Sequence, residues 1–152
     1  MGCKIFIVED NRFYGSMLKN AIENQITGEV ELFDSGESFM NNMNKKPEIV
    51  ILDHNLGTTL GIELMKQIKD IHPNVYFILL SAQESMSVAV QSFKYGAYDY
   101  VEKNNNSFIK IISLIHKIQR ERKSVTRKRT QHFFLGIGGL VLLGILVVIY
   151  LK

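Results

Sequence analysis

Acidic, hydroxyl and amine side chains stand directly after apolar runs of this sequence. Glu9 and Asp10 follow IFIV, Asp53 follows IVIL, Ser81 follows FILL, and Lys103 closely follows a fifth run. Three carboxylates held together repel one another, so they need a cation or raised pKa values. Oxygen ligands that include one or two carboxylates are typical of a Mg²⁺ site that water and phosphate oxygens complete. Ser81 and Lys103 would add a hydrogen-bond donor and a positive charge for phosphoryl oxygens, and phosphoryl transfer needs little beyond such positioning.

These side chains can meet only if the apolar runs are strands that end at a common edge. Such near-continuous apolar runs, alternating with helical segments, predict a parallel sheet covered on both faces. We therefore expect a doubly wound α/β domain, flavodoxin-like, with the five-stranded order 2-1-3-4-5. In that order strands 1 and 3 are neighbours, so the carboxylates of Glu9, Asp10 and Asp53 would share one edge. The five runs are 4–8, 29–33, 48–52, 75–80 and 98–101.

The segments between the runs carry apolar residues at helical spacing. Asp34-Ser35 is expected to cap a second helix that carries Phe39 and Met43, and Asn106 or Ser107 to cap the fifth. The first helix is marked by Phe13, Met17, Leu18, Ala21, Ile22 and Gln25. The core side of the fifth is predicted to hold Phe108, Ile111, Ile112, Ile115 and Ile118.

Together these positions resemble the receiver domain of bacterial two-component response regulators. Each motif is weak alone, but all of them occur in order and at plausible spacing over roughly residues 3–120. The motifs are Glu9-Asp10 after IFIV, Asp53 after IVIL, Ser81-Ala82 after FILL, and Tyr100-x-x-Lys103 after Gly96-Ala97.

The resemblance implies a role for each matched residue. Asp53 would be the phosphoacceptor, taking the phosphoryl group from the phosphohistidine of a sensor kinase. Asp10 and Asp53 would bind Mg²⁺ directly, the backbone carbonyl of Asn55 would be a further ligand, and Glu9 would act largely through water. Transfer and autodephosphorylation would be self-catalysed, so a dedicated enzyme is not expected.

Further roles follow from the same resemblance. Lys103 would pair with a phosphoryl oxygen, the hydroxyl of Ser81 would hydrogen-bond the phosphoryl group, and Tyr100 would be the aromatic residue that reports the switch. Gln83 stands where the family tunes its own dephosphorylation. Asn104 follows Lys103 at a position where the family commonly has proline. This departure removes no chemical group from the site.

Charge and hydropathy divide the chain into three parts. Residues 1–116 hold ten Lys and Arg against fourteen Asp and Glu, whereas 117–132 hold seven against one. The nineteen residues 133–151 carry no charge, and as a helix they would be about 28 Å long, close to the hydrocarbon thickness of a bilayer. We therefore predict a receiver domain over 1–120, a basic juxtamembrane collar over 121–132 and a transmembrane helix over 133–151.

The position of the basic residues predicts the orientation of this span. Because Lys and Arg stay on the cytoplasmic side, the head is expected in the cytoplasm and the span in the plasma (inner) membrane, crossing once. The collar is expected to contact membrane lipid rather than nucleic acid. One cysteine excludes a disulfide framework, and 46% apolar residues exclude a disordered chain.

The sequence thus predicts a membrane-tethered single-domain response regulator that switches partner binding when Asp53 is phosphorylated. The phosphodonor would be a sensor histidine kinase or a histidine phosphotransfer protein, and a homodimer is possible. Two alternatives stay open. The protein could be a phosphorelay intermediate or phosphate sink, or it could be a scaffold that works without phosphorylation.

Overall fold

The structure is a computed structural model that describes residues 2–57, 59–82 and 85–125. The chain divides into two units, 1–116 and 117–152, and of the second unit residues 117–125 are described and are helical. The predicted span 133–151, most of the collar and Gln83 lie outside the described residues. Within the described residues no helix is long and apolar enough to cross a membrane.

The main sheet has five parallel strands in the order β2-β1-β3-β6-β7. Apart from two short strands of a hairpin, this is the predicted order 2-1-3-4-5, so the doubly wound fold is confirmed. The strands of the main sheet are β1 (Cys3–Val8), β2 (Gly28–Phe33), β3 (Ile49–Asp53), β6 (Tyr76–Ser81) and β7 (Asp99–Glu102).

In the part of the chain that the structure describes, five α-helices follow these strands. The side chain of Ser35 accepts a hydrogen bond from the backbone N–H of Ser38 and caps the second helix, as predicted. The side chain of Asn11 caps the first helix in the same way, by accepting from the backbone N–H of Tyr14. The helices are α1 (Arg12–Glu23), α2 (Gly36–Asn41), α3 (Gly61–Ile71), α4 (Met86–Lys94) and α5, which begins at residue 107 and is described to residue 125.

The core lies on both faces of the sheet. Strand β3 is buried at all five positions, which explains its unbroken apolar sequence. The rings of Phe6, Phe33 and Phe39 pack together with centroids 4.7–6.3 Å apart. In α5, Ile111, Ile112, Ile115 and Ile118 are buried, as the helical spacing predicts.

Strand pairing brings the site residues to one edge. Val8 pairs with Leu52, Asp53 pairs with Leu80, and Ser81 pairs with Glu102. Four neighbouring strands, β1, β3, β6 and β7, therefore end within one or two residues of each other, and the site residues meet at their carboxyl ends.

Two local features differ from the expectation. The second helix ends at Asn41, and Met43 lies in a separate 3-10 helix, Met43–Lys45. The side chain of Asn42 donates to the carbonyl of Ser38 at 2.8 Å, so this polar side chain competes with the helical backbone pattern. Two short strands, β4 (Asn55–Leu56) and β5 (Thr59–Leu60), form an antiparallel hairpin that apolar periodicity does not reveal.

The outer face of the first helix also carries apolar residues. Leu18 and Ile22 are buried, whereas Phe13 is 76% exposed and Met17 is 47% exposed. The helical spacing therefore located α1 without telling which of its apolar residues reach the core.

Candidate functional site

The candidate site lies where β1, β3, β6 and β7 end. Glu9 comes directly after β1, Asp53 and Ser81 are the last residues of β3 and β6, and Lys103 comes directly after β7. The backbone N–H of Lys103 donates to the carbonyl of Ser81 at 2.8 Å, and that of Glu9 to the carbonyl of Phe33 at 2.9 Å. The sheet ladder itself thus places these residues.

Three carboxylates form a cluster at this edge. Glu9, Asp10 and Asp53 each offer one oxygen, and these oxygens lie within 4.8 Å of one another. Glu9 is 1% exposed and Asp53 4% exposed, whereas Asp10 is exposed. Two of the three negative charges are therefore held out of water, where their repulsion is strongest.

Lys103 neutralises part of this charge. Its Nζ lies 2.8 Å from Oδ2 of Asp53 and 2.6 Å from Oε2 of Glu9. The lysine side chain is 15% exposed, so both ion pairs are partly shielded from solvent. One ammonium group bridges two buried carboxylates from strands that are distant in sequence.

The protonation of Glu9 and Lys103 reflects this burial. Burial raises the pKa of Glu9 to about 7, with Asp53 adding to the rise and the hydrogen bond from Lys103 opposing it. Burial by itself would lower the pKa of Lys103, but its contacts with Asp53 and Glu9 outweigh that effect and raise it. Lys103 is therefore positively charged at neutral pH, and the protonation of Glu9 changes there.

The loop after Asp53 is held against the strand by a close backbone approach. The N–H of Gly61 donates to the carbonyl of His54 at 2.7 Å, and a Cβ at Gly61 would lie 2.1 Å from the carbonyl oxygen of Asp53. Only glycine fits there, because the start of α3 passes so near the backbone. The N–H of Asn55 lies 3.4 Å from Oδ1 of Asp53, so the hairpin also orients the carboxylate.

The remaining predicted site residues surround this cluster at different depths. Ser81 is buried at the end of β6. Tyr100 is half-buried, packs against the core cluster on one side of the sheet, and accepts a hydrogen bond on its carbonyl from Lys110 at 2.7 Å. The peptide bond between Lys103 and Asn104 is trans.

One residue at the site was not found from the sequence. Tyr14, in the first turn of α1, lies with its ring 4.8 Å from Nζ of Lys103. The available signal was its place in the first turn of the helix that directly follows β1 and its two carboxylates, near the carboxyl end of that strand.

The acidic cluster fits a divalent cation. Oxygen ligands on hard carboxylates are what Mg²⁺ prefers, and one exposed carboxylate beside a buried one leaves room for water ligands. Burial is the main cause of the raised pKa of Glu9, and the charge of Asp53 adds to it, so a bound cation would favour the ionised carboxylate. Asp10 and Asp53 would hold the ion, with the Asn55 carbonyl and Glu9 beside it.

The fold and this edge define a class of protein, a doubly wound α/β domain whose acidic pocket faces a partly buried lysine. Residues 5–116 match the family model of the response regulator receiver domain, and the chain belongs to that family. Receiver domains accept a phosphoryl group from histidine kinases and bind Mg²⁺ in an acidic pocket, so the phosphoacceptor class expected from the sequence is confirmed.

Individual relatives agree with this assignment. The chain is 31% identical over 106 residues to the chemotaxis protein CheY of Thermotoga maritima, covering 68% of this chain and 87% of that protein. It is also 31% identical over 134 residues to the uncharacterized transcriptional regulatory protein YesN of Bacillus subtilis, covering 85% of this chain but only 36% of YesN. The solved BeF3-activated DrrB receiver domain superposes with a TM-score of 0.72 at 28% identity, over 79% of this chain and 99% of that one.

The relatives do not support the expected exclusion of nucleic acid. The DNA-binding transcriptional regulator NtrC of Klebsiella pneumoniae is 29% identical over 102 residues, and the matched part is 21% of its length. Receiver domains thus occur in proteins that bind DNA. For this chain the absence of a nucleic-acid partner stays a prediction, as does contact with lipid.

Proposed function

We propose that this chain is a membrane-tethered receiver that accepts a phosphoryl group on Asp53 from a histidine kinase and thereby switches the binding of a partner. The observation that carries the proposal is the surroundings of Asp53, which is buried at the end of β3 with Lys103 at 2.8 Å and two further carboxylates beside it. A buried aspartate beside a lysine and two further carboxylates that could hold a cation has the groups that phosphoryl transfer requires.

The transfer is a single displacement at phosphorus. An oxygen of the Asp53 carboxylate forms a bond to the phosphorus atom, and the bond from phosphorus to the imidazole nitrogen of the phosphohistidine breaks, its electron pair staying on the imidazole. Lys103 compensates the charge on the phosphoryl oxygens, and the Ser81 hydroxyl donates to one of them. When bound, Mg²⁺ neutralises charge shared between the carboxylates and the phosphoryl group.

The tether is proposed from the sequence of 133–151 and of the residues before it. An uncharged run of this length matches a bilayer span, and the basic residues at 117–129 would keep the head in the cytoplasm. A receiver domain followed by these two segments would be held at the inner membrane. The family model covers residues 5–116, so the tether is proposed from the sequence of 117–152.

The phosphoacceptor role is tested by mass. The full-length chain, purified in detergent, is incubated with acetyl phosphate and Mg²⁺ and then weighed intact. We expect a gain of one phosphoryl group that disappears in Asp53→Asn and after chelation of the metal. Asp70→Asn is the matched control, because Asp70 is an exposed aspartate on α3 away from the site, and it should be modified like the unaltered chain.

The other outcomes identify the alternatives. No mass gain in a folded, Mg²⁺-loaded chain would contradict the proposal and favour a scaffold that works without phosphorylation. A gain that passes rapidly to a second histidine domain would favour a relay intermediate or phosphate sink. Equal modification of Asp53→Asn would show that another residue is the acceptor.

A further inference from the structure

We propose that Tyr14 is the positioning residue for Lys103, holding its ammonium group beside Asp53 through the face of the phenol ring. The inference rests on the proposed function, because it concerns the lysine that would bind the phosphoryl oxygens. It adds a residue of α1 that takes no direct part in the transfer.

The ring lies where a cation–π contact requires it. Nζ of Lys103 is 4.8 Å from the centroid of the Tyr14 ring, inside the limit of about 6 Å for this attraction. The same ammonium contacts Asp53 at 2.8 Å and Glu9 at 2.6 Å. Lys103 therefore has two carboxylates and one aromatic face as neighbours, and limited exposure to water strengthens all three contacts.

Tyr14 is itself held by the loop that carries Lys103. Its hydroxyl lies 3.0 Å from Oγ of Ser107, and Oγ of Ser107 donates to the carbonyl of Asn104 at 2.8 Å. A serine hydroxyl has one hydrogen, so the Tyr14 hydroxyl is the donor of the first bond. Asn104 directly follows Lys103. The two hydrogen bonds thus connect Tyr14 on α1, through Ser107 at the start of α5, to the residue next to the lysine.

A second aromatic ring fixes the plane of Tyr14. The Phe108 ring meets it edge to face, with centroids 5.2 Å apart and planes at 72°, a favoured arrangement for an aromatic pair. The phenol is thus held at its hydroxyl and at its ring, and it presents a set face to the ammonium.

Such a fixed neutral neighbour matters because of what phosphorylation does to the other two contacts. Lysine is a compact charge on a flexible four-carbon stem, so it needs groups that define its position. Phosphorylation changes the Asp53 carboxylate with which Lys103 is paired, and a cation near Glu9 competes with the lysine for that carboxylate. The Tyr14 ring is unaltered by either event and can hold the ammonium before and after transfer.

The test distinguishes the effect of the ring face of Tyr14 from the effects of its volume and of its hydroxyl group. The full-length chain in detergent is made with Tyr14→Phe, with Tyr14→Leu and with a trifluorinated phenylalanine at position 14, whose shape matches phenylalanine but whose ring face is far less negative. Phe13→Leu is the matched control, since Phe13 is an aromatic residue of the same helix that is 76% exposed. Phosphoryl uptake from acetyl phosphate is followed by intact mass.

We expect Tyr14→Leu and the fluorinated ring to slow uptake about tenfold, as the loss of a partly desolvated cation–π contact implies. Tyr14→Phe should stay within about threefold of the unaltered chain, because it keeps the ring face, and Phe13→Leu should not change the rate. Unchanged uptake in Tyr14→Leu would overturn the proposal. If the fluorinated variant takes up the phosphoryl group as fast as Tyr14→Phe, the negative ring face is not what positions Lys103.

A second readout does not depend on phosphorylation at all. The Cε–H signals of Lys103, assigned by their loss in Lys103→Gln, should be shifted upfield by the Tyr14 ring in the metal-free chain and in Tyr14→Phe, and return to ordinary values in Tyr14→Leu. If the unaltered chain takes up no phosphoryl group, the proposed function fails, and this signal alone then decides the position of Lys103. Lys103 signals that are the same in all variants would overturn the inference even in an active receiver.

Discussion

At the scale of single residues, the site is two buried carboxylates that share one ammonium group. Glu9 and Asp53 both contact Lys103, and a single positive charge does not compensate two negative charges in a region that excludes water. Of the two carboxylates, Glu9 is the one that takes up a proton more readily, because burial raises its pKa to about 7. Proton, lysine and divalent cation therefore compete for the same small pocket near neutral pH.

This competition predicts a pH dependence of stability in the metal-free protein. The pKa of Glu9 is about 7 in the folded chain and 4.5 for the free side chain, so the folded state binds its proton more tightly. Proton binding by Glu9 therefore adds to the free energy of unfolding. This contribution is complete below pH 4.5 and is lost as the pH rises through 7, a loss of up to about 3 kcal/mol between pH 5 and 8.

The measurement is denaturant unfolding with a chelator at several pH values, followed by the near-ultraviolet signal of tyrosine, since the chain has no tryptophan. Glu9→Gln removes the titrating group, and the difference between the two chains isolates its contribution, because His54 titrates in both. Added Mg²⁺ should reduce the loss at pH 8. A difference that does not vary with pH would contradict the raised pKa of Glu9.

At the scale of secondary-structure elements, the site depends on how closely the start of α3 approaches β3. The hairpin β4–β5 returns the chain to the end of β3, and Gly61 begins α3 against the backbone of Asp53. The aspartate is therefore positioned by its own strand and by the element that follows it, and the absence of a side chain at Gly61 sets the distance.

Gly61→Ala is predicted to damage both stability and phosphoryl uptake. Its Cβ would lie 2.1 Å from the carbonyl oxygen of Asp53, so the backbone must move. Such overpacking costs about 1–3 kcal/mol in unfolding free energy. The displaced Asp53 should also take up the phosphoryl group more slowly, which intact mass measures at saturating Mg²⁺.

Gly36→Ala is the matched control for this prediction. Gly36 is also the first residue of a helix, but a Cβ there would meet only the flexible ends of two side chains, Leu64 at 3.2 Å and Leu56 at 4.0 Å. We expect stability close to that of the unaltered chain and unchanged uptake. Equal effects of the two substitutions would show that the approach to Asp53 is not what matters at Gly61.

At the scale of the whole molecule, charge separates an acidic head from a basic segment and an uncharged run. Residues 1–116 have four more acidic than basic side chains, and 117–132 have six more basic than acidic ones. A head of this sign is repelled by an anionic membrane surface while the basic segment is attracted to it. The proposed tether would keep the receiver near the membrane.

The tether is tested by fractionation. The full-length chain should stay in the membrane pellet after an alkaline carbonate wash, and Leu142→Arg combined with Ile145→Arg should release it, because each arginine at the centre of a span costs about 2.5–3.5 kcal/mol. The paired alanine substitutions at the same positions are the control and should stay in the pellet. Release of the unaltered chain by the wash would contradict the tether.

Much of the molecule was predictable from local pattern. Buried parallel strands have unbroken apolar sequences, and ligand-binding residues of such sheets follow the strands, so the runs ending at Val8, Leu52 and Leu80 located Glu9, Asp53 and Ser81 together. The hairpin after Asp53 and the early end of α2 were missed, because two-residue strands and a competing Asn42 side chain leave no periodic signal.

By itself the sequence determined where the strands lie along the chain, which side chains follow them and the charge of each part of the chain. These follow from hydropathy and charge along the sequence, which are local properties, whereas the order of the strands and the edge that the carboxylates share came from the flavodoxin-like fold class that the alternation of strands and helices indicates. Only the tertiary structure decided that Lys103 bridges Glu9 and Asp53, that the pKa of Glu9 rises to about 7 and that Tyr14 lies against the lysine. Those properties depend on distances and burial among side chains up to 94 residues apart, Glu9 to Lys103, and packing alone sets such distances.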